Sequence, residues 1–159
     1  MGPKGTKNAL ILTTKIHLNE NVTTLKNAEK VEIWTDKLKY KKGELVKIYI
    51  WNGLNHGSYI YSFWFDVERL ENNKWCKYST VTPYSLGEPP RDFIPSNNAM
   101  VVTWNLIYYG IDEDNFGKEY DARESEGKYR FFFKFWKEPR DLPTGGAYSN
   151  EFQIGRVNR

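Results

Sequence analysis

Large apolar side chains recur at every second residue through most of this chain. The pattern is strongest at Tyr129-Arg-Phe-Phe-Phe-Lys-Phe-Trp136. Period two is the geometry of a β-strand, in which successive side chains point to opposite faces. It places Tyr129, Phe131, Phe133 and Phe135 on one face. It also groups Val46, Ile48 and Ile50 within 45–51, and Met100, Val102, Trp104 and Leu106 within 100–106. Tyr59, Tyr61, Phe63, Phe65 and Val67 alternate in the same way, which predicts one uninterrupted strand over 59–67. Phe152 and Ile154 mark a short last strand, 31–35 and 74–80 give weaker ones, and 10–18 suggests an extra N-terminal strand.

Turn chemistry falls between these runs. Lys41-Lys-Gly-Glu44, Asn52-Gly53, His56-Gly57 and Glu126-Gly127 punctuate them, and Glu71-Asn-Asn-Lys74 predicts a tight hairpin. Residues 82–98 hold Pro83, Pro89, Pro90 and Pro95 and read as an extended surface loop without a helix. A second loop, 140–147, separates the last two strands, and only 112–124 has room for helical turns. Many short strands and almost no helix predict an all-β sandwich or barrel.

Composition narrows the class further. In 159 residues, 16% aromatics argue for an ordered core, and the length suits one domain. The single cysteine, Cys76, excludes an intrachain disulfide and a Cys-based zinc site. No run approaches the roughly 18 apolar residues of a membrane-spanning helix, so no membrane span is expected. Ala9–Leu12 is too short a core for a signal peptide, so the protein is not exported by that route or the chain begins after a removed signal. The net charge of +3 hides a basic N-terminal third and an acidic stretch at 112–126, where seven acids face Lys118 and Arg123. The basic groups form no helix or known nucleic-acid motif, so no nucleic acid is expected as a partner. Asn21-Val-Thr23 is a glycosylation sequon.

Several segments, taken in order, resemble the immunoglobulin-like domains of bacterial and archaeal cell-surface proteins. TDKLKYKKGELVKIYIWN (35–52) is similar to their first edge strand and strand B, and YIYSFWFDVERLENNKW (59–75) to strand C with its hairpin. AMVVTWNL (99–106) is similar to strand E, EGKYRFFFKFW (126–136) to the Gly-x-Tyr opening of strand F, and SNEFQI (149–154) to strand G. The resemblance implies an immunoglobulin-like antiparallel β-sandwich with Greek-key connections over 31–155. Its insertion between strands D–E and E–F is long, residues 1–30 form an N-terminal extension, and 156–159 form a tail. Antibody-type domains carry a cysteine where this chain has Phe131, so core aromatics must replace that disulfide. The family implies a non-catalytic role, at the cell surface or outside the cell, in adhesion or assembly, including filaments or surface layers. Protease inhibition or carbohydrate binding are the alternatives.

Catalytic motifs are sparse. His56 and Ser58 share a turn, yet no Gly-x-Ser-x-Gly elbow exists. Cys76 reads as a buried, inert thiol. Asp112-Glu-Asp-Asn-Phe-Gly117 begins like an EF-hand loop, but Phe116 and Arg123 occupy ligand positions, which excludes that motif. An irregular calcium site from Asp112, Asp114 and Asp121 stays open; no other cofactor is implied.

Alternation carries the main functional expectation. If Phe63, Phe65, Phe131 and Phe133 point inward, then Ile60, Trp64, Phe132 and Trp136 line the outer face of two adjacent strands. Burying such side chains is worth roughly 1.5–3 kcal/mol each, so an apolar face this large should be covered. Candidates are the chain's own 82–98 or 108–125, a protein partner, a second copy, or a carbohydrate stacking on Trp64 and Trp136. Leu10, Leu12, Ile16 and Leu18 would pair with a sheet edge, in the same molecule or by strand addition to a neighbour.

Overall fold

The computed structural model describes residues 30–155 other than 86, 88, 89, 140 and 141. The strand expected at 10–18, with Leu10, Leu12, Ile16 and Leu18, lies outside the described residues. The architecture is all-β, with two sheets packed together and the larger one curled into a half-barrel.

The small sheet is antiparallel, with β3 (Val46–Asn52) between β1 (Val31–Thr35) and β8 (Asn98–Trp104). The large sheet is built around β11 (Gly127–Trp136), the longest strand. On one side β11 pairs with β4 (Ser58–Ile60) and β5 (Asp66–Glu71), and on the other with β12 (Gly145–Tyr148) and β13 (Phe152–Gly155). Beyond β5 lie β6 (Lys74–Ser79), β9 (Ile107–Gly110) and β10 (Glu119–Asp121). Beyond β13, β2 (Lys39–Lys41) pairs in parallel, and β4 also pairs with β7 (Asp92–Ile94).

The core is an aromatic cluster between the sheets. Trp104 of β8 sits at its centre, 5.3 Å from the Phe131 ring and 5.9 Å from that of Tyr129. Phe131 also meets Phe65 and Phe152, at 5.4 and 5.0 Å. The predicted inner sets on β3, β8 and β11 are buried here, apart from Phe135, which packs half-buried against the cluster. The turn after β8 is strained: Leu106 adopts φ 71°, a left-handed backbone that costs a side-chain-bearing residue about 1–2 kcal/mol. Its side chain is buried, and the Trp104 indole donates to the Ile107 carbonyl just beyond (3.0 Å).

The hairpin at 71–74 forms as its sequence predicts. Glu71 pairs with Lys74, and Asn72 and Asn73 take positive φ of 50° and 64°, as a two-residue type I′ turn requires. Three connections differ from the sequence reading. The proline-rich loop contributes β7. Residues 112–124 hold a turn, β10 and a single 3-10 turn (Ala122–Glu124), because Tyr120 pairs opposite Tyr108 in the sheet. The glycine-rich 140–147 segment contributes most of β12, since a Cβ on Gly146 would fall 2.2 Å from the Phe132 ring, and only glycine lets that ring lie against the strand.

The largest correction concerns 59–67. It is not one strand. Opposite β11, Ile60 pairs with Phe135 and Asp66 with Phe132, so six steps along this segment span three along its neighbour. Three residues are looped out. An odd excess reverses the facing of every side chain beyond it. Ile60 therefore shares the inner face with Phe135 and is 1% exposed in the core, whereas Phe63 is 67% exposed. Thr80, just past β6, holds the excursion. Its hydroxyl accepts from the Phe65 amide (3.0 Å) and donates to the Phe63 carbonyl (2.8 Å).

Candidate functional site

The excursion opens a cleft on the outer face of the large sheet. Its floor is the outward row of β5 and β11, Asp66 opposite Phe132, followed along β11 by Lys134 and Trp136. One wall is the excursion between β4 and β5, through Tyr61, Trp64 and Phe65. The other is formed by Val81, Thr82, Pro83, Ser85, Gly87 and Arg91, with Ile111 beside them. The cavity measures about 580 Å³, within the 300–1,000 Å³ typical of small-ligand sites.

Aromatic rings organise the walls. Tyr61 meets Trp136 edge-on at 5.2 Å and Trp64 at 5.3 Å. The Arg91 guanidinium lies 4.4 Å above the Trp136 ring and 5.0 Å from that of Tyr61, and its Nε donates to the Tyr61 hydroxyl (2.9 Å). Cation–π contacts of this kind are worth about 0.5–2 kcal/mol, so Arg91 ties the proline-rich connection to the floor. Trp136 is thereby nearly covered, while Trp64 stays 40% exposed at the mouth. Phe132 is half-buried against Tyr148 of β12 (4.7 Å). Next along β11, Arg130 stacks between Trp75 and Tyr148 and forms an ion pair with the buried Glu68 (2.8 Å).

Polar groups are interleaved with the rings. Asp66, Lys77, Ser79, Thr82, Ser85 and Lys134 all reach the cavity. Burial pushes the Asp66 carboxyl above its ordinary pKa, against the opposing pull of Lys77, whose ammonium lies 3.5 Å away.

Of the residues expected on the outer face, Trp64, Phe132 and Trp136 converge on this cleft. Ile60 does not, because the looped-out residues turn it inward. The intramolecular covers considered, 82–98 and 108–125, form walls rather than a lid among the described residues. Alternation missed Tyr61, which it placed inward, and it assigned no role to Arg91 or Asp66. The only sequence signals for these were their places beside Trp64 and after Pro89-Pro90.

The other candidates are not assembled into sites. Asp112 and Asp114 are exposed on a turn, and the Asp121 carboxylate is engaged by Arg123 through Nε and Nη2 (2.9 and 2.6 Å). That guanidinium also holds the Asp121 carboxyl below its ordinary pKa. Among the described residues no three His, Cys, Asp or Glu side chains come together. His56 Nδ1 meets the Gly57 carbonyl (2.8 Å), while the buried Ser58 hydroxyl has no hydrogen-bond partner, so the two do not form a nucleophile–base pair. Cys76 is half-buried rather than buried, and its thiol pKa is raised by burial and by Glu71, which keeps it protonated. No helix among the described residues is long and apolar enough to cross a membrane.

Compared with protein-family models, with curated proteins and with solved structures, the chain matches none.

Proposed function

We propose that this chain is a non-catalytic binding module, immunoglobulin-like in topology, that acts at the cell surface or outside the cell by holding a carbohydrate in the cleft of β5 and β11. The pairing order supports the topology. An edge strand, then β3 and β8, corresponds to strands A, B and E of one sheet of that fold. The succession β2, β13, β11, β5, β6 corresponds to A′, G, F, C and C′ of the other. The surface location rests on the sequence resemblance.

The observation that carries the ligand class is the mixture in the cavity. A sugar ring has an apolar C–H face and a polar rim. Binding it takes a flat aromatic surface with hydrogen-bonding groups beside it. Trp64, Tyr61 and Phe132 supply the surface, and Asp66, Ser79, Thr82 and Lys134 stand around it. Ser79 and Thr82 each accept one backbone amide and Asp66 faces Lys77, so a purely apolar ligand would bury only their remaining hydrogen-bonding capacity and the Lys134 ammonium, at about 1–3 kcal/mol for each bond left unmade.

A glycan array followed by titration calorimetry tests the proposal. The expected result is retention of a restricted glycan set, with binding lost in Trp64→Ala, whose mouth position leaves folding intact. An array without retention, or Trp64→Ala binding as well as wild type, would refute it. Phe63 and Trp64, exposed side by side, support a second role in self-association. Concentration-dependent sedimentation reads that role directly, and a strict monomer rejects it.

A further inference from the structure

We infer that the sugar held in this cleft is an acidic one, a pyranose bearing a carboxylate or sulfate, and that Lys134 is the residue that recognises its charge; the inference rests on the carbohydrate reading above. Phe132, Lys134 and Trp136 stand in one row on the outer face of β11, successive members about 6.8 Å apart along the strand. Lys134 thus has an aromatic residue on either side of it in the row. Across β12, Lys134 faces Gly146, which has no side chain to shield it.

The other charges in the cleft are already engaged. Lys77 faces Asp66 at 3.5 Å, and Arg91 is laid over Trp136 and Tyr61. Lys134 is exposed, and among the described residues no carboxylate lies within ion-pair distance of it. Asp66 is the one carboxylate among the described lining residues; Lys77 holds it at 3.5 Å, and it attracts Lys134 only from beyond ion-pair distance. A neutral sugar accepts a hydrogen bond from this ammonium but leaves its charge without a counter-charge. An anionic substituent projecting from a ring stacked in the cleft meets it with a charge-assisted hydrogen bond.

Calorimetric titration of the full chain with three probes tests this: a galacturonate oligomer, a sulfated galactose oligomer and a neutral galactose oligomer of equal length. The expected result is that one or both acidic oligomers bind at least about tenfold more tightly than the neutral one. That preference should shrink in high salt and in Lys134→Gln, in which the acidic oligomers lose more affinity than the neutral one. The carboxylate and sulfate arms show which anion is read. The inference is overturned if the neutral oligomer binds as tightly as the acidic ones, or if Lys134→Gln keeps the acidic preference; the carbohydrate reading survives either result. If none of the three binds and the array also retains nothing, the carbohydrate reading fails and this inference with it. The exposed position of Lys134 means that its substitution does not threaten folding.

Discussion

The three looped-out residues between β4 and β5 make opposite demands on two neighbouring positions. An unbroken strand would bury Phe63 and expose Ile60; the observed pairing does the reverse. Ile60→Ala removes three buried carbons. Their transfer alone is worth about 2.4 kcal/mol at roughly 0.8 kcal/mol each. The cavity left among Phe135 and its neighbours raises the expected loss to about 3 kcal/mol, inside the 2–5 kcal/mol range for such truncations. Phe63→Ser, on an exposed side chain, should change stability by less than about 0.5 kcal/mol. Urea unfolding followed by fluorescence separates the two. With m near 2 kcal/mol per molar, Ile60→Ala should lower the midpoint by about 1.5 M at unchanged m, and Phe63→Ser should leave it in place. A large loss for Phe63→Ser together with a neutral Ile60→Ala would refute the excursion, and with it the cleft.

Two further outcomes follow from the same geometry. Gly146→Ala puts a methyl group 2.2 Å from the Phe132 ring, so the ring must move; we expect about 1–3 kcal/mol of destabilisation by thermal melting and weaker glycan binding. Asp66→Asn should stabilise the protein at neutral pH. The folded carboxyl binds its proton more tightly than the unfolded one, so ionising it opposes folding as pH rises above the ordinary Asp value of about 3.9. That penalty is absent below the unfolded pKa and complete above the folded one. The melting-temperature gain of Asp66→Asn should therefore fade on acidification through this window. A gain that grows as pH falls would reverse the assigned cause.

Much of the architecture could be read from the residues. The inner faces of β3, β8 and β11, the Asn72-Asn73 turn and the all-β class depend on period two and local turn preference, which are properties of a few adjacent residues. Phe132 and Trp136 share the outer row that alternation along β11 required, whereas Trp64 reaches the same cleft from the excursion between β4 and β5. Ile60 and Phe63 did not follow, because their facing depends on how many residues separate two pairings with a different strand. That number is set by Phe135 and Phe132 across the ladder and by the Thr80 hydroxyl that pins the excess. Arg91 and Asp66 joined the cleft for a similar reason, since contacts between segments distant in the chain leave no periodic trace. The sequence alone determined which strands exist and which rings are in surplus. The tertiary structure decided where the surplus rings gather, because only the packed sheet sets the register that turns a side chain inward or out.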